Sequence, residues 1–294
     1  MQWKKVTLVG VGLLGGSLGL ALRQRRLADV VAGFVRRATS VAECQACAAV
    51  DVASCDLASA VEGAGLVVLC TPLAQMRPLV ERMLPSLKAG AIVTDVGSVK
   101  ESVVHDLEEL VAQGGGRFVG SHPMAGAEKT GVAAARADLF AGAVCVVTPT
   151  RRSIPAAVRQ VRQLWRAVGG RVLELTPRTH DQLVSRSSHL PHVVAAELAN
   201  FVLAPDRPLE QEVLCANGFR DTTRIASSSP EMWRDIALAN RDNLCEALSA
   251  LIGELKTFKR ALSKGDEAAI AGFFSTAKQR RDEWVGHAGS RSPE

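Results

Sequence analysis

Gly10-Val11-Gly12-Leu13-Leu14-Gly15 follows the apolar run Val6–Val9 directly and opens an Ala/Leu-rich stretch of helical character that reaches about Arg26. Each glycine at this spacing has a task. The first permits a tight turn, the second lets the backbone approach a pyrophosphate, and the third lets a helix pack closely on a strand. The helix N-terminus then offers free N–H groups and a positive dipole end to phosphates. A G-x-G-x-x-G alone is a weak signal. Placed between a first strand and a helix, with a second strand close behind at Val30–Phe34, it predicts a dinucleotide-binding β-α-β unit. Its cofactor contacts are Gly10, Gly12, Leu13, Leu14 and Gly15.

The rest of the first half supports that unit. Leu66–Cys70 reads as a third strand, ending at Thr71-Pro72, which we count with the cofactor contacts. Ile92–Asp95 reads as a fourth strand, and Phe118–Gly120 and Val144–Thr148 as further candidates. Helical patterns over Pro78–Leu87, Lys100–Ala112 and Pro155–Ala167 fill the gaps. Strands alternating with helices predict a mainly parallel sheet covered on both faces, and unbroken apolar strands fit burial on both sides. After Arg171–Leu175 nearly everything has helical periodicity. The expected architecture is α/β: a Rossmann-type doubly wound parallel sheet over residues 1–176, then an all-helical domain over 177–285. The Gly/Ser/Pro-rich residues 286–294 read as a disordered tail.

Bulk properties exclude several classes. The 294 residues are 47% hydrophobic and 22% charged with a formal charge of +5. No basic tract is dense enough for a nucleic-acid arm. No stretch approaches the roughly 20 apolar residues of a membrane span, and because the N-terminus runs straight into a strand-like segment no signal peptide is expected. Seven cysteines scattered through apolar segments read as reduced thiols of a cytoplasmic protein. Cys44-x-x-Cys47 with Cys55 lacks a fourth ligand, so no metal site is expected.

Cofactor choice is written at the end of the second strand. A carboxylate there would accept the ribose 2′-OH of NAD. This chain has Phe34-Val35-Arg36-Arg37-Ala38-Thr39-Ser40 instead. Arg36 and Arg37, with the hydroxyls of Thr39 and Ser40, suit a 2′-phosphate and favour NADP over NAD. The competing reading has both arginines stacking beside the adenine or facing solvent.

Three further segments stand at or near strand ends, where open α/β sheets bind ligands: Asp95-Val96-Gly97-Ser98-Val99-Lys100, Gly120-Ser121-His122-Pro123-Met124-Ala125-Gly126 and Ser188-His189-Leu190-Pro191-His192. A fourth, Gly218-Phe219-Arg220-Asp221-Thr222-Thr223-Arg224-Ile225-Ala226, lies in a break between helices. It reads either as a carboxylate-binding loop or as a plain capping turn. Taken in order with His180-Asp181 and Pro230-Glu231-Met232-Trp233, these segments resemble the prephenate/arogenate dehydrogenase family from Val6 to about Arg281.

That resemblance implies hydride transfer from C4 of a cyclohexadienol ring to NAD(P), with loss of CO2 from C1. As hydride leaves, the C4 oxygen becomes acidic and needs an acceptor, a role that suits a neutral histidine. By the family's pattern His122 is that residue, with Ser98 bonded to the same hydroxyl or to the imidazole. Arg224 matches the family's cation for a substrate carboxylate, and Gly218 belongs to the same loop. Glu128 and Lys129 match the mouth of the cleft, with Glu128 as an ion-pair gate or the two as a plain exposed helix-start pair, and His192 matches a position near the substrate side chain. His189 is expected to serve structure, capping a helix start or kink at Pro191. Trp233 is either a core residue or a lid over the substrate. Prephenate and arogenate differ by a keto group against an ammonium, so Asp221 and Glu128 are candidates to tell them apart.

The nearest rival is a β-hydroxyacid dehydrogenase. Such enzymes depend on a lysine in their first interdomain helix, and Pro177–Val202 contains none. A non-catalytic NAD(P) sensor is the rival of another class, and it has no need of Ser98, His122 and Arg224 together. Leu244, Leu248, Leu251, Leu255 and Phe258 form one apolar stripe, suited to packing within a domain or to a homodimer interface. The expected partners are therefore a small-molecule substrate and a second copy of the chain.

Overall fold

The computed structural model describes residues 2–126 and 129–288. The chain divides into two compact units, residues 1–241 and 242–294.

The first unit opens with β1 (Trp3–Val9), α1 (Leu13–Gln24), β2 (Ala28–Phe34), α2 (Ala38–Ala46), β3 (Val52–Ser54), α3 (Leu57–Val61), β4 (Leu66–Leu69), α4 (Leu73–Met83), β5 (Ile92–Asp95), α5 (Glu101–Gln113) and β6 (Arg117–Phe118). These six strands form one parallel sheet in the order β3-β2-β1-β4-β5-β6. The order reverses between β1 and β4, the crevice where such sheets bind ligands. All four residues of β4 are buried, as are all four of β5. One apolar cluster includes Leu8, Leu18, Leu22, Leu66 and Val68, and a second includes Val9, Val67, Leu69, Leu79 and Val93. Neighbouring residues of a strand thus fall into opposite clusters, which is why these strands read as unbroken apolar runs.

Four local expectations are corrected. The strand expected over Phe118–Gly120 is two strands, because the chain leaves the parallel sheet at Val119. There β7 (Gly120–Pro123) begins a separate three-stranded sheet with β8 (Val144–Thr148) and β9 (Arg171–Glu174). In it β7 runs antiparallel to β8, and β8 parallel to β9. Gly120 makes the departure sterically possible: a Cβ there would lie 2.6 Å from Thr148 Oγ1 and 2.9 Å from Val104 Cγ2. Second, α4 begins at Leu73, not Pro78, so Pro78 lies inside the helix. Third, an edge strand, β3, stands where none is expected, because its exposed Val52 and half-buried Ala53 and Ser54 show no apolar period. Fourth, the C-terminal helix runs to Ala288, so residues 286–288 are helical, and residues 289–294 lie outside the described region.

After α6 (Pro155–Ala167), which packs beside β8 and β9, the unit becomes helical. It contains α7 (Pro177–Val184), α8 (Leu190–Val202), α9 (Leu209–Val213), α10 (Asn217–Thr223) and α11 (Pro230–Ala239). A π-helical turn, Ser185–His189, joins α7 to α8 without a break. The His189 side chain therefore makes no capping hydrogen bond, contrary to expectation. Pro191 sits in the first turn of α8, where its missing N–H costs little. A π turn shifts the side chains that follow it around the helix, a distortion often found at functional sites.

The second unit comprises α12, which begins at Arg241 and ends at Lys264, and α13 (Glu267–Ala288). Phe258 packs against Phe273 with ring centroids 4.3 Å apart, and against Phe274 at 5.7 Å. The two helices are thus clasped near their connection.

Candidate active site

The first glycine of the nucleotide turn, Gly10, has φ +97°, a conformation that L side chains avoid. A Cβ on Gly15 would stand 2.1 Å from Gly10 O, so the helix packs on the turn by backbone contact. Around Gly12 the opposite holds: a Cβ there would meet nothing within 4 Å. The backbone of Gly12 thus faces an open cradle at the N-terminus of α1. Against Gly10, Thr71 Oγ1 is buried with no hydrogen-bond partner among the described residues. A tight turn, an open backbone face and an orphaned hydroxyl fit a pyrophosphate-bearing nucleotide. Arg36 and Arg37 follow β2 and are exposed, together with Thr39; Ser40 is half-buried, and no carboxylate interrupts them.

Beyond the C-terminal ends of β4 and β5 the polar residues close into one buried network. Asp95 ends β5. Its carboxylate accepts from the Gly97 N–H at 2.8 Å and the Ser121 N–H at 3.0 Å, and it pairs with the Lys100 ammonium. Ser121 Oγ donates to the Asp95 carbonyl at 2.6 Å, tying β7 to β5. The Asp181 carboxylate, on α7, accepts from the backbone N–H groups of Lys100 and Glu101, each at 2.8 Å, and so caps α5. The same carboxylate lies 2.7 Å from His180 Nδ1, and His180 Nε2 lies 2.9 Å from His122 Nδ1.

His122 projects from β7 and is 7% exposed. Burial drives its imidazole well below the usual histidine range, and the neighbouring His180, Lys100 and His189 push the same way. It is therefore neutral at pH 7, able to accept a proton. Ser98 is half-buried in the turn between β5 and α5.

On the helical side, Asn240 donates both amide hydrogens, one to the Asp181 carbonyl at 2.9 Å and one to His189 Nδ1 at 3.1 Å. His192 stacks on Trp233 at 3.8 Å and donates from Nδ1 to the Ser188 carbonyl at 2.9 Å. Trp233 is half-buried and sits edge-on to His189 as well. Arg224 opens a 3-10 turn, Arg224–Ser227, that packs on α8. With Arg220, Phe219 and Thr223 it lines a surface groove. Gly218 lies at the exposed start of α10 and Asp221 on its exposed face, while Lys129 is exposed. Glu128 lies outside the described residues. His180, Asp181 and Lys100 carry the network, although the sequence suggested no role for them. The available signal was the adjacent pair His180-Asp181.

Residues 18–174 match the family described as prephenate dehydrogenase, nucleotide-binding domain, and residues 176–276 that described as prephenate dehydrogenase, dimerization domain. The chain is 36% identical over 285 residues to the prephenate dehydrogenase of Bacillus subtilis (strain 168), a match covering 94% of this chain and 75% of that protein. Among solved structures it is similar to prephenate dehydrogenase from A. aeolicus in complex with hydroxyphenyl propionate and NAD+. There the identity is 32% and the TM-score 0.89, over 96% of this chain and 98% of that one. Synechocystis arogenate dehydrogenase is 30% identical with a TM-score of 0.80, over 95% of this chain and 99% of that one.

Proposed function

This chain belongs to the prephenate dehydrogenase family, and from that premise we propose that it oxidatively decarboxylates prephenate or arogenate in tyrosine biosynthesis. The observation that carries the reading is the buried, neutral His122 beside the nucleotide crevice. When bound, the nicotinamide supplies the acceptor for the hydride that leaves C4 of the substrate. His122 Nε2 takes the proton of the C4 hydroxyl as that oxygen becomes carbonyl-like. The C1–carboxylate bond then breaks, CO2 departs, its electron pair enters the ring, and the proton returns to the oxygen of the aromatic product. Ser98 helps to orient the hydroxyl. Arg224 holds a substrate carboxylate, and His192 and Trp233 bound the side-chain end, with Gly218, Lys129 and Glu128 at the rim. Much of the driving force is aromatisation, so the protein's work is orientation and proton management.

The dinucleotide is held by Gly10, Gly12, Leu13, Leu14, Gly15, Thr71 and Pro72. NADP is preferred to NAD because no carboxylate follows β2, where two guanidinium groups, Arg36 and Arg37, stand instead. The functional division is a nucleotide-binding domain over residues 1–176 and a helical substrate and dimerisation domain over 177–285. The enzyme works as a homodimer. In support, Phe274, Trp284 and Val285 on α13 are all more than half exposed, an apolar surface that a second copy would cover. Seven free thiols fit a reducing cytoplasm.

The test is initial-rate assay of nucleotide reduction with prephenate and arogenate, each crossed with NAD and NADP, in wild type and His122→Asn. Turnover that falls by about 10²–10⁴-fold in the variant, with nucleotide binding retained, is expected of a lost proton acceptor. Folded, nucleotide-binding protein inactive in all four combinations overturns the reading.

A further inference from the structure

Resting on the proposed role of His122, we infer that His180 is a positioning residue, which with Asp181 fixes His122 as the tautomer whose bare nitrogen is Nε2. The geometry leaves little choice. Three donors converge on the Asp181 carboxylate: the N–H groups of Lys100 and Glu101 and the Nδ1 of His180, at 2.7–2.8 Å. A carboxylate has no proton to give, so His180 Nδ1 carries one. With that proton on Nδ1 and none on Nε2, the His180 Nε2 is an acceptor, and the group bonded to it among the described residues is His122 Nδ1 at 2.9 Å, which is then the donor. That consumes the single proton of neutral His122 and leaves Nε2 as the acceptor.

The rings meet edge-on, with centroids 5.1 Å apart and planes at 71°, the geometry of an in-plane N–H···N contact between crossed imidazoles. His180 and Asp181 are buried to within 1% of closure, so water cannot replace either partner. The carboxylate is itself anchored by the first turn of α5. The orientation of His122 is thus referred back to a helix N-terminus in the nucleotide-binding part of the unit. Such a backing group both holds the ring and stabilises the imidazolium that forms when the proton arrives.

The charged and titratable groups facing His122 are His180 and Asp181 on α7, Lys100 at the start of α5 with its partner Asp95, and His189 in the π turn. Of these only His180 bonds to its ring.

His180→Phe removes the acceptor at similar bulk. His180→Gln keeps a carbonyl oxygen within reach of His122 Nδ1. For His180→Phe, kcat is expected to fall about 10²-fold while both KM values stay within about threefold, since only the proton-accepting step is affected. His180→Gln should recover about tenfold of that loss. The acidic limb of the kcat profile should move to lower pH in His180→Phe, because the His122 imidazolium loses its acceptor; a purely structural role would not move it. Independently of turnover, 15N-histidine spectra of the wild type, with His122 assigned through His122→Asn, should show Nδ1 protonated and Nε2 bare. A wild-type His122 protonated at Nε2, or a folded His180→Phe with unchanged kcat and limb, overturns the inference. If His180→Phe does not fold, the wild-type spectrum and His180→Gln decide. Undiminished turnover in His122→Asn would instead remove the proposed role of His122, with the tautomer still read from the spectrum.

Discussion

The Lys100 ammonium and the Asp95 carboxylate form an ion pair in which both side chains are wholly closed to water. Burial lowers the Lys100 pKa from 10.5, and Asp95 opposes that shift. The carboxylate has further donors in Gly97 and Ser121, so its charge is satisfied on three sides. Breaking one partner of such a pair strands a buried charge. Lys100→Met should therefore destabilise by about 3–5 kcal/mol. Adding Asp95→Asn should restore at least about half of that, because the charge left behind is then gone. Urea midpoints of the two single variants and the double variant measure this. A Lys100→Met protein as stable as wild type would show that the pair does not hold β5 to α5.

Two glycines of the same turn, Gly15 and Gly12, separate folding from binding. Gly15→Ala drives a methyl to 2.1 Å from a backbone oxygen that cannot rotate away, so helix and turn must part. A loss of about 1–3 kcal/mol or more is expected. Gly12→Ala meets nothing within 4 Å, so stability should change by less than about 1 kcal/mol. The methyl would instead occupy the face that a pyrophosphate approaches, and the nucleotide Kd should rise about tenfold or more. Thermal unfolding and nucleotide titration of both variants give the comparison. Unchanged nucleotide affinity in Gly12→Ala would remove that glycine from the cradle.

Legibility followed the range of the interactions. The turn from β1 into α1 was readable because its causes lie between Val6 and Gly15: an apolar strand, spaced glycines and a helix start. β5 and β8 were readable to the residue because each is a short run rich in β-branched residues with glycine or proline close to its ends. The departure of β7 from the parallel sheet was not readable, since it depends on Gly120 meeting Val104 and Thr148. Pro78 misled because a proline marks a helix start more often than a helix interior. The π turn hid in an unbroken helical periodicity. His180 showed only as half of a dipeptide, and its role arises from a contact with a residue 58 positions away. Sequence spacing carries no information about that.

Acid should weaken this fold before its carboxylates are titrated. Burial, the largest cause, lowers His189 from 6.5 to about 4, and lowers His122 well below 6.5. Both are neutral in the folded protein, whereas the unfolded chain protonates them near pH 6.5. Between the folded and unfolded values the unfolded state binds more protons, so stability rises with pH there and falls as pH drops. The contribution is fully present above about pH 6.5 and is lost as pH falls towards about 4, at about 3 kcal/mol at most for a shift the size of His189's. The unfolding free energy measured at pH 7, 6, 5 and 4.5 should therefore decline well above the carboxylate range. His189→Asn, which keeps a polar group for Asn240 but cannot titrate, should flatten the slope. A wild-type profile level from pH 7 to 5 would mean that His122 and His189 take up protons as readily in the folded protein as in the unfolded chain.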